Sequence, residues 1–117
     1  MKLFLPTPVS SKEVEAIVER KLRWILSACT PVEVWLFGSA ATGEMTEASD
    51  IDIALLFNDE HEIRRVQSKL ARTPRLDNWP QNLVWFCASD FYERAGIGGL
   101  PMLILKDGRQ IYPRSET

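Results

Sequence analysis

Apolar residues recur at helical spacing through the first part of the chain. Val14, Ile17, Val18, Leu22, Ile25, Leu26 and Cys29 fall on one face of a helix predicted over 10–29. Ser10 and Glu13 make a capping box at its start, and Val9 and Val14 stand where a hydrophobic staple closes the first turn. Pro31 stops it. The period then changes. Val32–Phe37 is rich in β-branched and aromatic residues and predicts a strand, ended by Gly38. Ser39–Ala48 holds a short helical turn broken by Gly43. Ile51–Phe57 is nearly all apolar, the mark of a strand buried on both faces. Asn58-Asp59-Glu60 closes that strand and caps a helix over 60–72, which turns Ile63, Val66 and Leu70 inward.

The last third is less regular. Leu83–Cys87 predicts a third strand, reached through a turn at Pro80, and Ser89-Asp90 caps a short helix near 90–95. Gly96, Gly98 and Gly99 loosen the chain, and Met102–Leu105 reads either as a strand or as the last turn of a helix. Asp107-Gly108 signals a tight turn before a short returning strand at Gln110–Tyr112. Helices alternating with strands in this order predict an α/β (α+β) architecture, a small mixed sheet flanked by helices.

Composition narrows the picture. A length of 117 residues suits one domain spanning 1–117, with room for a real core. A net charge of -2 lacks the strongly basic balance of a general nucleic-acid binder. Cys29 and Cys87 are too few for a disulfide framework and predict buried thiols in a reducing compartment. Pro6 and Pro8 interrupt the apolar start Met1–Leu5 before a signal-peptide core can form, and no apolar run approaches the ~20 residues of a membrane span. These features predict a cytoplasmic protein with no membrane partner.

The chemistry concentrates between Phe37 and Ile53. Gly38 follows a strand and lets a phosphate approach the backbone, and the Ser39 hydroxyl can donate to a phosphate oxygen. Amides that open a helical turn favour an anion. Ten residues separate Ser39 from Asp50, and Asp52 follows two further on. Side chains two apart on a strand share a face, so Asp50 and Asp52 can share a metal ion. Two carboxylates suit Mg2+, a hard cation that also bridges to substrate phosphates.

Gly38-Ser39, ten residues and Asp50-x-Asp52 resemble the signature of the DNA polymerase β-type nucleotidyltransferase superfamily, and more narrowly its minimal prokaryotic members. The leading helix, Gly43, Ser49 and the closing Asp107-Gly108 turn fit the same pattern. The resemblance implies the nucleotidyltransferase fold and Mg2+-dependent transfer of a nucleoside monophosphate from a triphosphate, usually ATP. It implies phosphate contacts at Gly38, Ser39 and Ser49, and metal contacts at Asp50 and Asp52. Many minimal members are antitoxins paired with an α-helical ribonuclease toxin of the HEPN family, which they can AMPylate. That implies a macromolecular acceptor, with a HEPN-type protein as partner and RNA as a further possibility.

Two positions depart from the pattern. The superfamily usually carries a third catalytic carboxylate where this chain has Asn82, an amide that bears no charge and cannot act as a base. Asp77 is the nearby acid that can substitute by swinging in from the Trp79-Pro80 loop. Thr42 stands where the family often has arginine, which removes a triphosphate contact. The departures leave two readings: an active transferase, or a weakened one that neutralises a helical partner by contact.

Other features read as ordinary structure. Arg65, Lys69 and Arg72 share a helix face that serves either as a solvated surface or as a strip for RNA or an acidic partner. His61 is the only histidine and fits a surface or capping position. Trp35 and Trp85 fall in strands; Trp24 and Trp79 are candidates for exposure, although core packing suits all four.

Overall fold

The computed structural model describes residues 5–114, so the first four residues of the apolar start lie outside the described part. Helix α1 (Ser11–Ala28) opens as the capping box requires, with the Ser10 hydroxyl accepting from the Glu13 N–H at 3.2 Å. Strand β1 (Glu33–Phe37) leads into α2 (Ser39–Thr42), a single turn that Gly43 ends in the left-handed region. Strand β2 (Ile51–Phe57) is followed by α3 (Glu60–Ala71), capped by Asp59 accepting from the Glu62 N–H at 2.8 Å. Strand β3 (Gln81–Cys87) then gives way to α4 (Ala88–Ala95), α5 (Gly99–Asp107) and β4 (Arg109–Tyr112).

The strands lie in the order β3-β2-β1-β4. β1 pairs antiparallel with both β2 and β4, whereas β2 and β3 run parallel with α3 as their crossover. Alternation along the strands sorts the side chains between two cores. Val34, Leu36, Ile51, Ile53, Leu55 and Phe57 meet α1 and α3 on one face. Ala54 and Leu56 meet Phe91 and Ile104 of α4 and α5 on the other. β2 lies inside the sheet and is fully buried from Ile53 to Phe57, which accounts for its unbroken apolar sequence. β3 and β4 are the edges.

Several expectations are corrected. α4 begins directly at Ala88, with Cys87 as N-cap and no side-chain cap, so Ser89 and Asp90 lie within its first turn. Of the two readings open for Met102–Leu105 the helical one holds: the segment lies inside α5, where Pro101 sits in the first turn without losing a hydrogen bond. β3 starts two residues earlier than the apolar run suggests, at Gln81. Core packing, by contrast, holds for both tryptophans that were candidates for exposure: Trp24 is buried and donates to the Thr73 carbonyl, and Trp79 is half-buried against the same core. Cys29 and Cys87 are free and only half-buried, and the apolar surroundings of Cys29 push its thiol up to about 11. Leu100, Met102, Leu103 and Leu105 leave α5 with an exposed apolar side, and Ile97 just before it is 86% exposed. Among the described residues no helix is long and apolar enough to cross a membrane.

Candidate active site at the start of the central strand

Antiparallel pairing brings the end of β1 beside the start of β2, with Phe37 opposite Asp52. Parallel pairing brings the start of β3 to the same place, with Asn82 opposite Asp52 on the other side. Gly38, Asp52 and Asn82 therefore converge at one end of the sheet, although they are far apart in sequence. Alternation directs Asp52 and Asn82 to the face that carries Ala54 and Leu56, beyond the part roofed by α4 and α5. Asp50 and Asn82 are exposed there, and Asp52 is half-buried.

Gly38 is fixed by two independent constraints. Its φ of 70° and ψ of -155° belong to a region open in practice only to glycine. A Cβ on it would also stand 2.2 Å from Asp52 Oδ2, so the turn and the carboxylate are in direct contact. Ser39 follows as the first residue of α2, whose opening amides have no acceptor within the helix. Ser49 is engaged differently. Its hydroxyl accepts from the Thr46 N–H at 2.9 Å and lies 3.3 Å from the Thr46 hydroxyl, shaping the turn that delivers Asp50.

Asn82 donates from its amide nitrogen to Asp52 Oδ1 at 3.3 Å. Burial raises the Asp52 carboxyl above its ordinary value, Asn82 opposes that shift, and the Asp50 charge adds to it. Among the described residues neither Asp50 nor Asp52 has a cationic partner. Nor does any cluster of three His, Cys, Asp or Glu side chains form a complete metal cage among them. Two hard carboxylates with an unmet need for positive charge nonetheless fit a divalent ion that draws its remaining ligands from substrate phosphates and water. Asp77 does not join them. It is held at Lys21, with 2.7 Å between Nζ and Oδ1, and the site is left with two acids and an amide.

The family model for the nucleotidyltransferase domain matches residues 12–95, more than half of the chain. The chain belongs to the nucleotidyltransferase domain family. A search of curated proteins returns no significant match. The matched span runs from α1 through α4 and includes every residue of the cluster around Asp52, while α5 and β4 lie beyond it. This nucleotidyltransferase domain has the mixed sheet and flanking helices that the motif implied, and membership carries transferase chemistry in general.

Sequence reasoning missed the surroundings of Lys21. Lys21 is 1% exposed and takes a place in the inward stripe of α1 between Ile17 and Ile25. A lysine at an i+4 position of an apolar stripe was the available signal. Its ammonium is satisfied by Asp77 and by the Trp79 carbonyl, and the combination holds the 73–80 loop against α1.

Gly38→Ala is expected to lower stability by about 1–3 kcal/mol from the backbone region alone. It should also push the Asp52 carboxylate away from the turn; chemical denaturation measures the loss of stability. Asp52→Asn should raise the melting temperature of the metal-free protein at pH 7. The folded state holds this carboxyl above its ordinary value, so the fold penalises the charged form, a penalty relieved as pH falls through the raised pKa. Scanning calorimetry should therefore show the advantage of the variant shrinking as pH falls.

Proposed function

We propose that this nucleotidyltransferase domain moves a nucleoside monophosphate, AMP from ATP, onto a macromolecular acceptor with Mg2+ held by Asp50 and Asp52. The observation that carries the reading is the direct contact between the Gly38 turn and the Asp52 carboxylate. It puts a turn suited to phosphate beside a pair of acids suited to metal. Gly38 and Ser39 bind the triphosphate, the glycine by leaving the backbone open and the serine by donating its hydroxyl. Ser49 contributes by holding the turn before Asp50, and Asn82 orients Asp52 through its amide. In the transfer, an acceptor hydroxyl oxygen forms a bond to the α-phosphorus and loses its proton to solvent, the α–β bridging P–O bond breaks, and pyrophosphate leaves. Mg2+ supplies positive charge against the triphosphate and the leaving group.

A protein or RNA acceptor suits an open site whose acids stand on the uncovered end of a sheet. The exposed cations Arg65, Lys69 and Arg72 along α3 would favour a phosphate-rich acceptor, and a helical protein of the HEPN type suits the apolar side of α5. That apolar side also favours a second reading. In it the domain is an antitoxin that neutralises its helical partner by contact, and Asn82 marks a weakened centre. Either role suits a cytoplasmic protein.

Transfer of label from α-phosphate-labelled ATP into a cell lysate tests the first reading. A labelled band is expected that disappears for Asp50→Asn/Asp52→Asn and gives the size of the acceptor; its absence with competent partner capture would favour the contact reading. Asn82→Asp restores a carboxylate beside Asp52 and is expected to raise the transfer rate about tenfold or more. Equal rates for parent and variant would show that the missing acid does not limit the chemistry.

A further inference from the structure

The Asp50 side chain makes no hydrogen bond or ion pair with any described residue, so the residue is held in place through its main chain. That main chain is gripped on both sides of Asp50 by one dipeptide. The Trp79 indole N–H donates to the Ser49 carbonyl at 2.8 Å, and the Ile51 N–H donates to the Pro80 carbonyl at 2.9 Å. Trp79 is itself anchored at three points. Its backbone N–H donates to Asp77 Oδ1 at 2.7 Å, and its carbonyl accepts from Lys21 Nζ at 2.5 Å and from Arg75. Lys21 and Asp77 close the network with their ion pair in the interior.

This is more anchoring than a loop needs merely to connect α3 to β3. Asp77 could have faced the site. Instead it is spent on a buried lysine and on the amide of the residue that reaches Ser49. A buried ion pair contributes little net stability compared with apolar packing, and its best-attested use is to specify one arrangement over others.

We infer that Trp79 is a positioning residue for Asp50, locked by the Lys21–Asp77 pair, and that its indole N–H sets the spacing of the two metal-binding carboxylates. The inference rests on the metal role given to Asp50 and Asp52 under the proposed function. Partners that orient a metal ligand typically change metal affinity by about 10–100-fold when removed. A hydrogen bond that acts one peptide away from the ligand belongs at the lower end of that range.

The test compares two tryptophans in the same core. Trp79→Phe removes the N–H aimed at Ser49, and Trp24→Phe removes an equivalent N–H aimed at the Thr73 carbonyl, at the start of the same loop and away from the Asp50 main chain. Binding of Mn2+ to the full chain is read by electron paramagnetic resonance, with thermal melting in parallel. Both variants should lose similar thermal stability, while Mn2+ affinity falls about tenfold in Trp79→Phe and stays at the wild-type level in Trp24→Phe. If Trp79→Phe does not fold, the benzothiophene analogue of tryptophan at position 79 keeps the ring shape without the donor, with the same expectation. Wild-type Mn2+ binding lost in Asp50→Asn/Asp52→Asn yet unchanged in Trp79→Phe would overturn the positioning role alone. So would an equal loss of affinity in both tryptophan variants. A wild-type protein that binds no Mn2+ would overturn the metal reading and the positioning role with it.

Discussion

Strand β2 can occupy only one register. Its residues from Ile53 to Phe57 are fully buried, with α1 and α3 on one side and α4 and α5 on the other. A slip of one residue would exchange Leu55 and Phe57 for Ala54 and Leu56 between two cores of different size, so packing fixes the strand along its whole length. That rigidity fixes Asp52 as well, because it lies on the same strand where the covering helices end. Partners on both sides, Phe37 across one ladder and Asn82 across the other, leave its backbone no freedom to relax. A half-buried carboxylate near a second acid survives there because the apolar remainder of the strand holds it in position.

Much of this was legible in the sequence where one local rule dominated. The apolar run Ile51–Phe57 announced a central strand, Ser10 and Asp59 announced helix starts, and Gly38 followed by the spaced acids pointed to the place where Gly38, Asp52 and Asn82 converge. Legibility failed where tertiary contacts outvoted local preference. Gln81 and Asn82 are polar, yet both belong to β3, since an edge strand tolerates polar residues where it starts in the open. Ser89 and Asp90 are good capping residues, but Phe91 must reach the core beside Phe86, and the helix begins early enough to carry it there. Lys21 was hidden for the same kind of reason. Its partner Asp77 is remote in sequence, so nothing local marks the lysine as buried.

The fate of Asp77 connects the fold to the chemistry. An acid five residues before Asn82 resembles a displaced third carboxylate, but its contacts are structural. The site is therefore asymmetric, with an acid on β2 facing an amide on β3. The amide orients Asp52 through a donated hydrogen bond and opposes the upward shift that burial imposes. A third carboxylate would instead have added repulsion to a pair of acids that already lacks a described cationic partner.

Sequence separation divides the contacts of the site into two classes, and that bears on the order of assembly. Gly38 meets Asp52 inside one antiparallel pair joined by a short connection, a local closure that costs little chain entropy. Asn82 reaches Asp52 only through a parallel ladder, and such a ladder cannot zip until its helical crossover has formed and packed. The turn and the acids belong to the part of the chain that can organise early, whereas the amide arrives with the late, non-local part. Exchange of the residue at position 82 therefore leaves the early-forming half of the candidate site untouched.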